Sequence, residues 1–143
     1  MHWAGPLFTQ SGFIDGWFDP DRGEEGEGAP PGDALEGLIL PPFRNCHTPL
    51  GDTLARDGAP DASLAELVGP DGFKHRWLEE ADIAASIAAG LCEAAASGTA
   101  LLLDFREGGE AGLAQLAQGA ANAGWGVEEG APQVVPFGRA AGG

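Results

Sequence analysis

Residues 74–105 read KHRWLEEADIAASIAAGLCEAAASGTALLLDF, and this stretch decides the fold class of the chain. Its first part carries apolar side chains near the helical period, at Trp77, Ile83, Ile87 and Leu91. Gly98 is placed to end that helix. The run TALLLDF that follows is continuously apolar, which is typical of a strand buried on both faces. The stretch therefore predicts one long helix followed by a buried strand.

The same alternation extends to both sides of this stretch. Before it, ALEGLILPPF and FRNCH predict an extended segment and a strand within residues 34–47. After it, REGG leads into a second helix that Gly124 stops, and APQVVPFGR at 131–139 predicts a further strand. Residues 48–72 predict a long irregular loop with one short turn at SLAEL. The order β-α-β-α-β predicts an α/β fold with parallel strands and right-handed crossovers.

Residues 1–37 have a different character. GPLFTQ and GFIDGWF are short runs of strand-forming residues bounded by Gly, Pro and Asp. Between residues 19 and 33 lies DPDRGEEGEGAPPGD, which predicts a long, mobile turn between strands. We therefore expect a small β region at 1–37 and a second domain at 38–143.

The charge balance excludes two classes of partner. The chain of 143 residues has 22 acidic and 7 basic residues, a net charge of −15, and Lys74 is its one lysine. Nucleic-acid backbones and anionic membranes would repel such a chain. The acidity serves solubility or an adaptation to high salt, and the sequence leaves both readings open. No apolar run approaches the roughly 20 residues of a membrane span, and the N-terminus has no secretory pattern, so we expect a cytoplasmic location.

The two cysteines, Cys46 and Cys92, match neither a disulfide framework nor a CxxC metal clip. Cys92 falls within the helical pattern, which predicts a small buried hydrophobic side chain. Cys46 alternates with His47 along a strand, so the two side chains are expected on opposite faces and Cys46 is expected to pack.

Polar residues collect where the predicted strands end. The first strand ends in Asn45, Cys46, His47 and Thr48, the second in Asp104, Arg106 and Glu107, and the third near Arg139. In parallel α/β folds the chemistry lies at the carboxyl ends of the strands. We therefore expect a site at this edge of the sheet.

The stretch GLILPPFRNCHTPLGDT, residues 37–53, resembles the first barrel strand of the amidohydrolase superfamily. The residues that fit the pattern of that strand are Gly37, Pro42, His47, Gly51 and Asp52. GPDGFKHRWLEEA and SGTALLLDFREGG are similar to segments of a prokaryotic, mainly archaeal, branch of the superfamily. The resemblance implies a β-sandwich-like portion at 1–37 and the first β/α units of an incomplete TIM barrel at 38–143.

The resemblance also implies a metal-dependent hydrolase that acts on a carbon–nitrogen bond other than a peptide bond, of amidohydrolase or deaminase type. His47 would be a ligand of a divalent metal ion, which zinc, iron and manganese all suit. Such a metal lowers the pKa of a bound water so that it attacks a small-molecule substrate. The sequence departs from the pattern at Pro49, which stands where the second histidine of the motif belongs. The remaining ligands of the superfamily come from later barrel strands.

Five further residues are candidates for the mouth of the barrel. We predict Arg106 and Glu107 as catalytic residues and Asp52, Lys74 and His75 as substrate-binding residues. Structural alternatives stay open for each of them. Asp52 would serve turn chemistry, Lys74 and His75 would flank a helix and pair with Glu79 and Glu80, and Arg106 would form a local ion pair with Glu107.

A competing hypothesis makes the chain a non-catalytic truncated remnant or an association domain of an amidohydrolase. Three parallel strands leave sheet edges unpaired. We therefore expect self-association or a second chain that completes the barrel, and impaired or absent activity in the chain alone.

Overall fold

The computed structural model describes residues 1–59, 61–126 and 132–137. The chain divides into two compact units, Met1–Pro41 and the residues from Pro42 onward. The division follows Pro41 rather than Gly37, because Ile39 belongs to the sheet of the first unit. Its carbonyl accepts a hydrogen bond from Phe8 N at 3.0 Å, and its amide donates to Pro6 O at 2.9 Å.

The first unit contains one sheet of four strands. They are β1 (His2–Thr9), β2 (Gly12–Asp19), β3 (Glu24–Glu27) and β4 (Ala34–Glu36), in the order β3-β2-β1-β4. β1 pairs antiparallel with β2 and parallel with β4. The acidic segment predicted as a mobile turn contains β3, which pairs antiparallel with β2. A sandwich needs a second sheet packed on the first, and Met1–Pro41 contains only this one.

The second unit contains a parallel sheet of three strands. They are β5 (Phe43–Thr48), β6 (Thr99–Phe105) and β7 (Gln133–Phe137), in the order β5-β6-β7. Both pairings are parallel, as the β-α-β-α-β order predicts. The register of β5 against β6 is irregular between Asn45 and Thr48. The described residues form an open sheet, so the TIM barrel stays a prediction. Arg139, expected near the end of the third strand, lies outside the described residues.

The connections are mainly helical. A 3₁₀ helix spans Leu50–Ala55, and the α-helices are α1 (Leu64–Val68), α2 (Phe73–Glu80), α3 (Ile83–Ala96) and α4 (Gly109–Ala123). The 3₁₀ helix lies in the segment that was predicted to be irregular, and α1 lies where the sequence predicted a short turn at SLAEL. Within the described ranges, no helix has the length and apolar character to cross a membrane.

The long helix predicted from residue 74 to Gly98 is two helices. Ala81 is extended, and the side chain of Asp82 accepts a hydrogen bond from Ala85 N at 3.0 Å, so Asp82 caps a new helix. The predicted ends are confirmed. Gly98 follows α3 with φ 78° and Gly124 follows α4 with φ 73°, the left-handed conformation that ends helices.

The core of the second unit lies between one face of the sheet and the helices α3 and α4. Its buried members are Leu50, Ile83, Ile87, Leu91, Leu102, Leu116, Ala120 and Trp125. The helices approach closely at Gly119, where an added Cβ would lie 2.6 Å from Ile87 Cγ2. β6 buries only Leu102 and Asp104, and its other residues are half-buried, so the prediction of burial on both faces is wrong.

Both cysteines are exposed, which corrects the prediction for each of them. Cys92 follows the fully buried Leu91 along α3. Neighbouring helical residues point about 100° apart, so a helix that buries Leu91 turns Cys92 toward solvent.

Candidate functional site

Asp104 joins the ends of the first two parallel strands. It pairs with Thr48 in the register of β5 and β6, and its side chain is 0% exposed. Its Oδ1 accepts a hydrogen bond from Leu50 N at 2.8 Å. Thr48 Oγ1 donates to Leu103 O at 3.1 Å in the same place. Burial raises the pKa of Asp104, although the Leu50 amide and the Arg106 charge oppose this effect.

Arg106 is buried beside Asp104. Its side chain is 5% exposed, and Nη1 lies 3.5 Å from Asp104 Oδ2. Neither Nε nor Nη1 of Arg106, nor Oδ2 of Asp104, has a hydrogen-bond partner among the described residues. The guanidinium packs against Gly51, where an added Cβ would lie 2.5 Å from Nη2. A side chain at position 51 would therefore displace Arg106.

Lys74 connects the loop after β5 to the loop after β6. Its Nζ lies 3.1 Å from Asp52 Oδ2 and 3.2 Å from Glu107 Oε2. Burial alone would lower the pKa of Lys74, but the hydrogen bonds and charges of Asp52 and Glu107 outweigh it and raise that pKa. The charged form of Lys74 is therefore favoured, and its ammonium group lies between two carboxylates.

Two residues that were not predicted as site residues hold the loop of Asp52. Ser86 Oγ, fully buried on α3, donates to Gly51 O at 2.9 Å and accepts from Leu54 N at 3.1 Å. Trp77 Nε1 on α2 donates to the same Gly51 carbonyl at 3.4 Å. A sequence signal for Ser86 exists, since it is a polar residue directly before Ile87 in the apolar stripe of α3.

A cleft of about 520 Å³ opens beside this charged group, at the start of α4. We call it the α4 cleft, and its lining includes His75, Phe105, Arg106, Glu107, Gly108 and Gly109. Three predicted site residues thus share one cavity. His75 is exposed on α2, and the Glu107 side chain is 40% exposed.

His47 has aromatic neighbours. Its ring centroid lies 5.9 Å from that of Phe105 and 5.8 Å from that of Phe137. Its backbone amide donates to Asn45 Oδ1 at 3.1 Å. His47 is not among the residues that line the α4 cleft.

The described residues alone do not fit a divalent metal ion. Across residues 1–59, 61–126 and 132–137, no three His, Cys, Asp or Glu side chains come close enough together to hold one. His47 supplies one imidazole, and the neighbouring motif position is Pro49. Stable protein sites for such metals use three or four ligands.

The structure decides two of the alternatives about pairing. Lys74 pairs with Asp52 and Glu107, and the pairing expected with Glu79 and Glu80 is not among the ion pairs of the described residues. Lys74 on α2 lies far along the chain from Asp52 and Glu107, so its pairing depends on how the elements pack. Arg106 pairs with Asp104 on β6 rather than with the adjacent Glu107.

Comparison with known proteins gives two partial relatives. The chain is 43% identical over 79 residues to a protein of Archaeoglobus fulgidus named "Putative aminohydrolase", covering 53% of this chain and 24% of that protein. It is 32% identical over 116 residues to an uncharacterized protein of Methanocaldococcus jannaschii, covering 78% of this chain and 29% of that protein.

The chain therefore spans about a quarter of the length of these curated relatives. No protein-family model matches the chain. No solved structure matches it significantly.

Proposed function

We propose that this chain supplies part of the active site of a hydrolase that cleaves a carbon–nitrogen bond, other than a peptide bond, in a small molecule. The name of the Archaeoglobus fulgidus relative supports the reaction class. One structural observation supports the location of the site. Lys74 binds Asp52 and Glu107 together at the carboxyl edge of a parallel sheet, where α/β enzymes place their chemistry.

Each predicted residue has a role in this proposal. The partly exposed carboxylate of Glu107 faces the α4 cleft, where it takes a proton from water and returns one to the leaving nitrogen. Arg106 stabilises negative charge on the oxygen of the attacked carbon. Lys74 and Asp52 hold Glu107 in position, and His75 contacts the substrate at the rim of the cleft.

A divalent metal ion, zinc, iron or manganese, is a separate part of the proposal. His47 is the ligand that this chain offers, and the other ligands would come from residues beyond those described. We derive no catalytic step through the metal. Elemental analysis of the purified chain tests the ligand, with His47→Ala compared with His75→Ala. We expect bound metal to be lost only in His47→Ala, and equal metal content in both variants would exclude His47.

Release of ammonia from a panel of small amides, amidines and amino-heterocycles tests the reaction. We expect the Glu107→Gln chain to lose at least about 100-fold in rate, the usual contribution of a general acid–base. Glu93→Gln is the matched control, because Glu93 is a half-exposed carboxylate that pairs with Arg56 on another part of the unit. Equal rates in both variants would contradict the proposal.

A non-catalytic association domain is the second candidate. The observation that favours it is the apolar face of the parallel sheet, on which Val135 and Phe137 are 45% and 36% exposed. They pair in register with Leu103 and Phe105, so the four side chains share that face. Sedimentation equilibrium tests this candidate. We expect Val135→Asp to weaken self-association, and a monomeric parent chain would exclude self-association.

A further inference from the structure

We infer that the α4 cleft binds an oxyanion, the carboxylate or phosphate group of a ligand, through Arg106 and the first amides of α4. The identification of that ligand as the substrate rests on the proposed function. The binding of the anion does not depend on it.

Arg106 provides the first observation. Its side chain is only 5% exposed, yet Nε and Nη1 donate no hydrogen bond within the described parts of the chain. A buried guanidinium whose N–H groups have no hydrogen-bond acceptor is energetically unfavourable. Asp104 Oδ2 at 3.5 Å is too far for a hydrogen bond and leaves Arg106 with a purely ionic partner.

Asp104 does not use the hydrogen-bonding capacity of Arg106. Its Oδ1 is already occupied by the amide of Leu50, and its Oδ2 lies 3.5 Å from Arg106 Nη1. Arg106 therefore retains unused donors. Arg106 lines the α4 cleft, and an oxyanion there becomes the acceptor that this side chain lacks once a shift of the guanidinium exposes the two shielded nitrogens.

The beginning of α4 provides the second observation. This helix has 15 residues, and its N-cap residue, Gly108, has no side chain to accept from the first amides. Gly108 and Gly109 both line the cleft, and a Cβ added to Gly109 would meet no atom within 4 Å. The positive end of the helix dipole therefore faces an open space, where an anion is favoured.

The carboxylate of Glu107 in the same cleft is the main opposing charge. Lys74 lies 3.2 Å from it and 3.1 Å from Asp52, so the two carboxylates share its single positive charge. His75, which also lines the cleft, adds an imidazole that is able to donate a hydrogen bond. The donors thus line one cleft at the start of α4, while Lys74 pairs with Glu107.

Titration of the ¹⁵N-labelled chain with inorganic phosphate, and separately with acetate, tests the inference. Chloride keeps the ionic strength constant. We expect saturable shifts of the Gly108 and Gly109 amide signals with at least one of the two anions, and the anion that binds distinguishes phosphate from carboxylate recognition. The absence of saturable shifts with both anions would overturn the inference.

Three variants make the test specific. Arg106→Gln is expected to weaken binding roughly tenfold or more, the loss typical of one charged hydrogen-bonding group. Arg56→Gln, which removes an exposed arginine paired with Glu93, is expected to leave binding unchanged. His75→Glu places a carboxylate at the exposed rim and is expected to weaken binding even if Arg106→Gln does not fold. Unchanged binding in His75→Glu and in a folded Arg106→Gln would overturn the inference.

The outcomes also separate the two proposals. Anion binding together with equal ammonia release from Glu107→Gln and Glu93→Gln would leave this inference standing and contradict the proposed function. Ammonia release without anion binding would do the reverse.

Discussion

Asp104 and Lys74 lie at the same end of the sheet, where the surroundings disfavour the charged form of Asp104 and favour the charged form of Lys74. Asp104 is fully buried and its carboxylate has one hydrogen bond, so its charged form is disfavoured. Lys74 is less deeply buried and has two carboxylate partners, so its charged form is favoured. Two residues of the same site thus respond to pH in different ranges, and each can be examined by a single substitution.

The stability of the chain should depend on pH through Asp104. Burial raises its pKa above the ordinary value of 3.8, so the folded chain keeps a proton that the unfolded chain releases. The contribution of Asp104 to the free energy of unfolding therefore falls as pH rises from about 3.8 through the folded-state pKa. We expect urea denaturation across this range to show a shallower fall in Asp104→Asn than in the parent chain.

The Asp57→Asn variant is the control for Asp104, since it also removes one carboxylate but at an exposed position. It should keep the pH dependence of the parent chain. Parallel pH profiles for the parent chain and Asp104→Asn would show that Asp104 is not the group responsible.

Replacement of Lys74 by Met should destabilise the chain by about 1–3 kcal/mol, because Asp52 and Glu107 lose their shared cation. Since the pKa of Lys74 is raised, its contribution is complete below the ordinary value of 10.5 and is lost only as pH rises through the folded-state pKa. Arg56→Met removes the exposed partner of Glu93 and should cost about 1 kcal/mol or less. Equal urea midpoints for the two variants would contradict the structural role of Lys74.

At the scale of elements, α3 fixes the loop that carries Asp52. The 3₁₀ helix Leu50–Ala55 lies against α3, and Gly90 allows the approach, since an added Cβ would lie 2.5 Å from Thr53 Oγ1. Leu50 contributes its side chain to the core and its amide to Asp104. The position of Asp52 therefore follows from packing between helices as well as from its ion pair.

Ser86→Ala tests this coupling between elements. The substitution removes the hydroxyl that donates to Gly51 O and accepts from Leu54 N, and it leaves the buried Gly51 carbonyl and the part-buried Leu54 amide without that partner. We expect a loss of roughly 1–3 kcal/mol in the free energy of unfolding. Hydrogen exchange of the Leu54 amide should also accelerate.

Ser97→Ala is the matched control on the same helix, because Ser97 is exposed and its hydroxyl donates only locally, to Ala94 O at 2.8 Å. Its effect should stay within about 0.5 kcal/mol. A Ser86→Ala chain that is as stable as Ser97→Ala would argue against the coupling of α3 to the loop.

At the scale of the whole molecule, net charge sets the conditions for stability. The net charge is −15, and four of the basic side chains, Arg22, Arg56, Lys74 and Arg106, already have carboxylate partners in the described part of the chain. Most acidic groups therefore repel one another at the surface. Self-repulsion of this kind disfavours a compact state until salt screens it.

We expect the melting temperature to rise steeply when KCl increases from ~0.01 M to ~1 M, since the Debye length falls from about 30 Å to about 3 Å. Sucrose at matched osmolality should have a smaller effect, because it does not screen charge. A melting temperature that responds equally to KCl and sucrose would refute charge repulsion as the cause. This measurement also tests the adaptation to high salt that the composition suggests.

The sequence by itself determined the alternation of strands and helical connections in the second unit and the parallel pairing of its strands. It also determined the ends of α3 and α4 at Gly98 and Gly124. Each of these features depends on neighbouring residues, through periodicity, helix stop signals and the geometry of β-α-β connections. The five further residues that the sequence predicted for the site lie in two overlapping groups. His75, Arg106 and Glu107 line the α4 cleft, and Lys74 pairs with Asp52 and Glu107.

Only the tertiary structure decided which of these residues pair and which are buried. Lys74 contacts two separate loops, Asp104 binds the amide of Leu50, and β3 forms within an acidic segment because β2 offers it hydrogen bonds. Cys92 is exposed because α3 turns Leu91 inward. These outcomes depend on contacts between residues far apart in the chain, and local patterns in a sequence carry no record of such contacts.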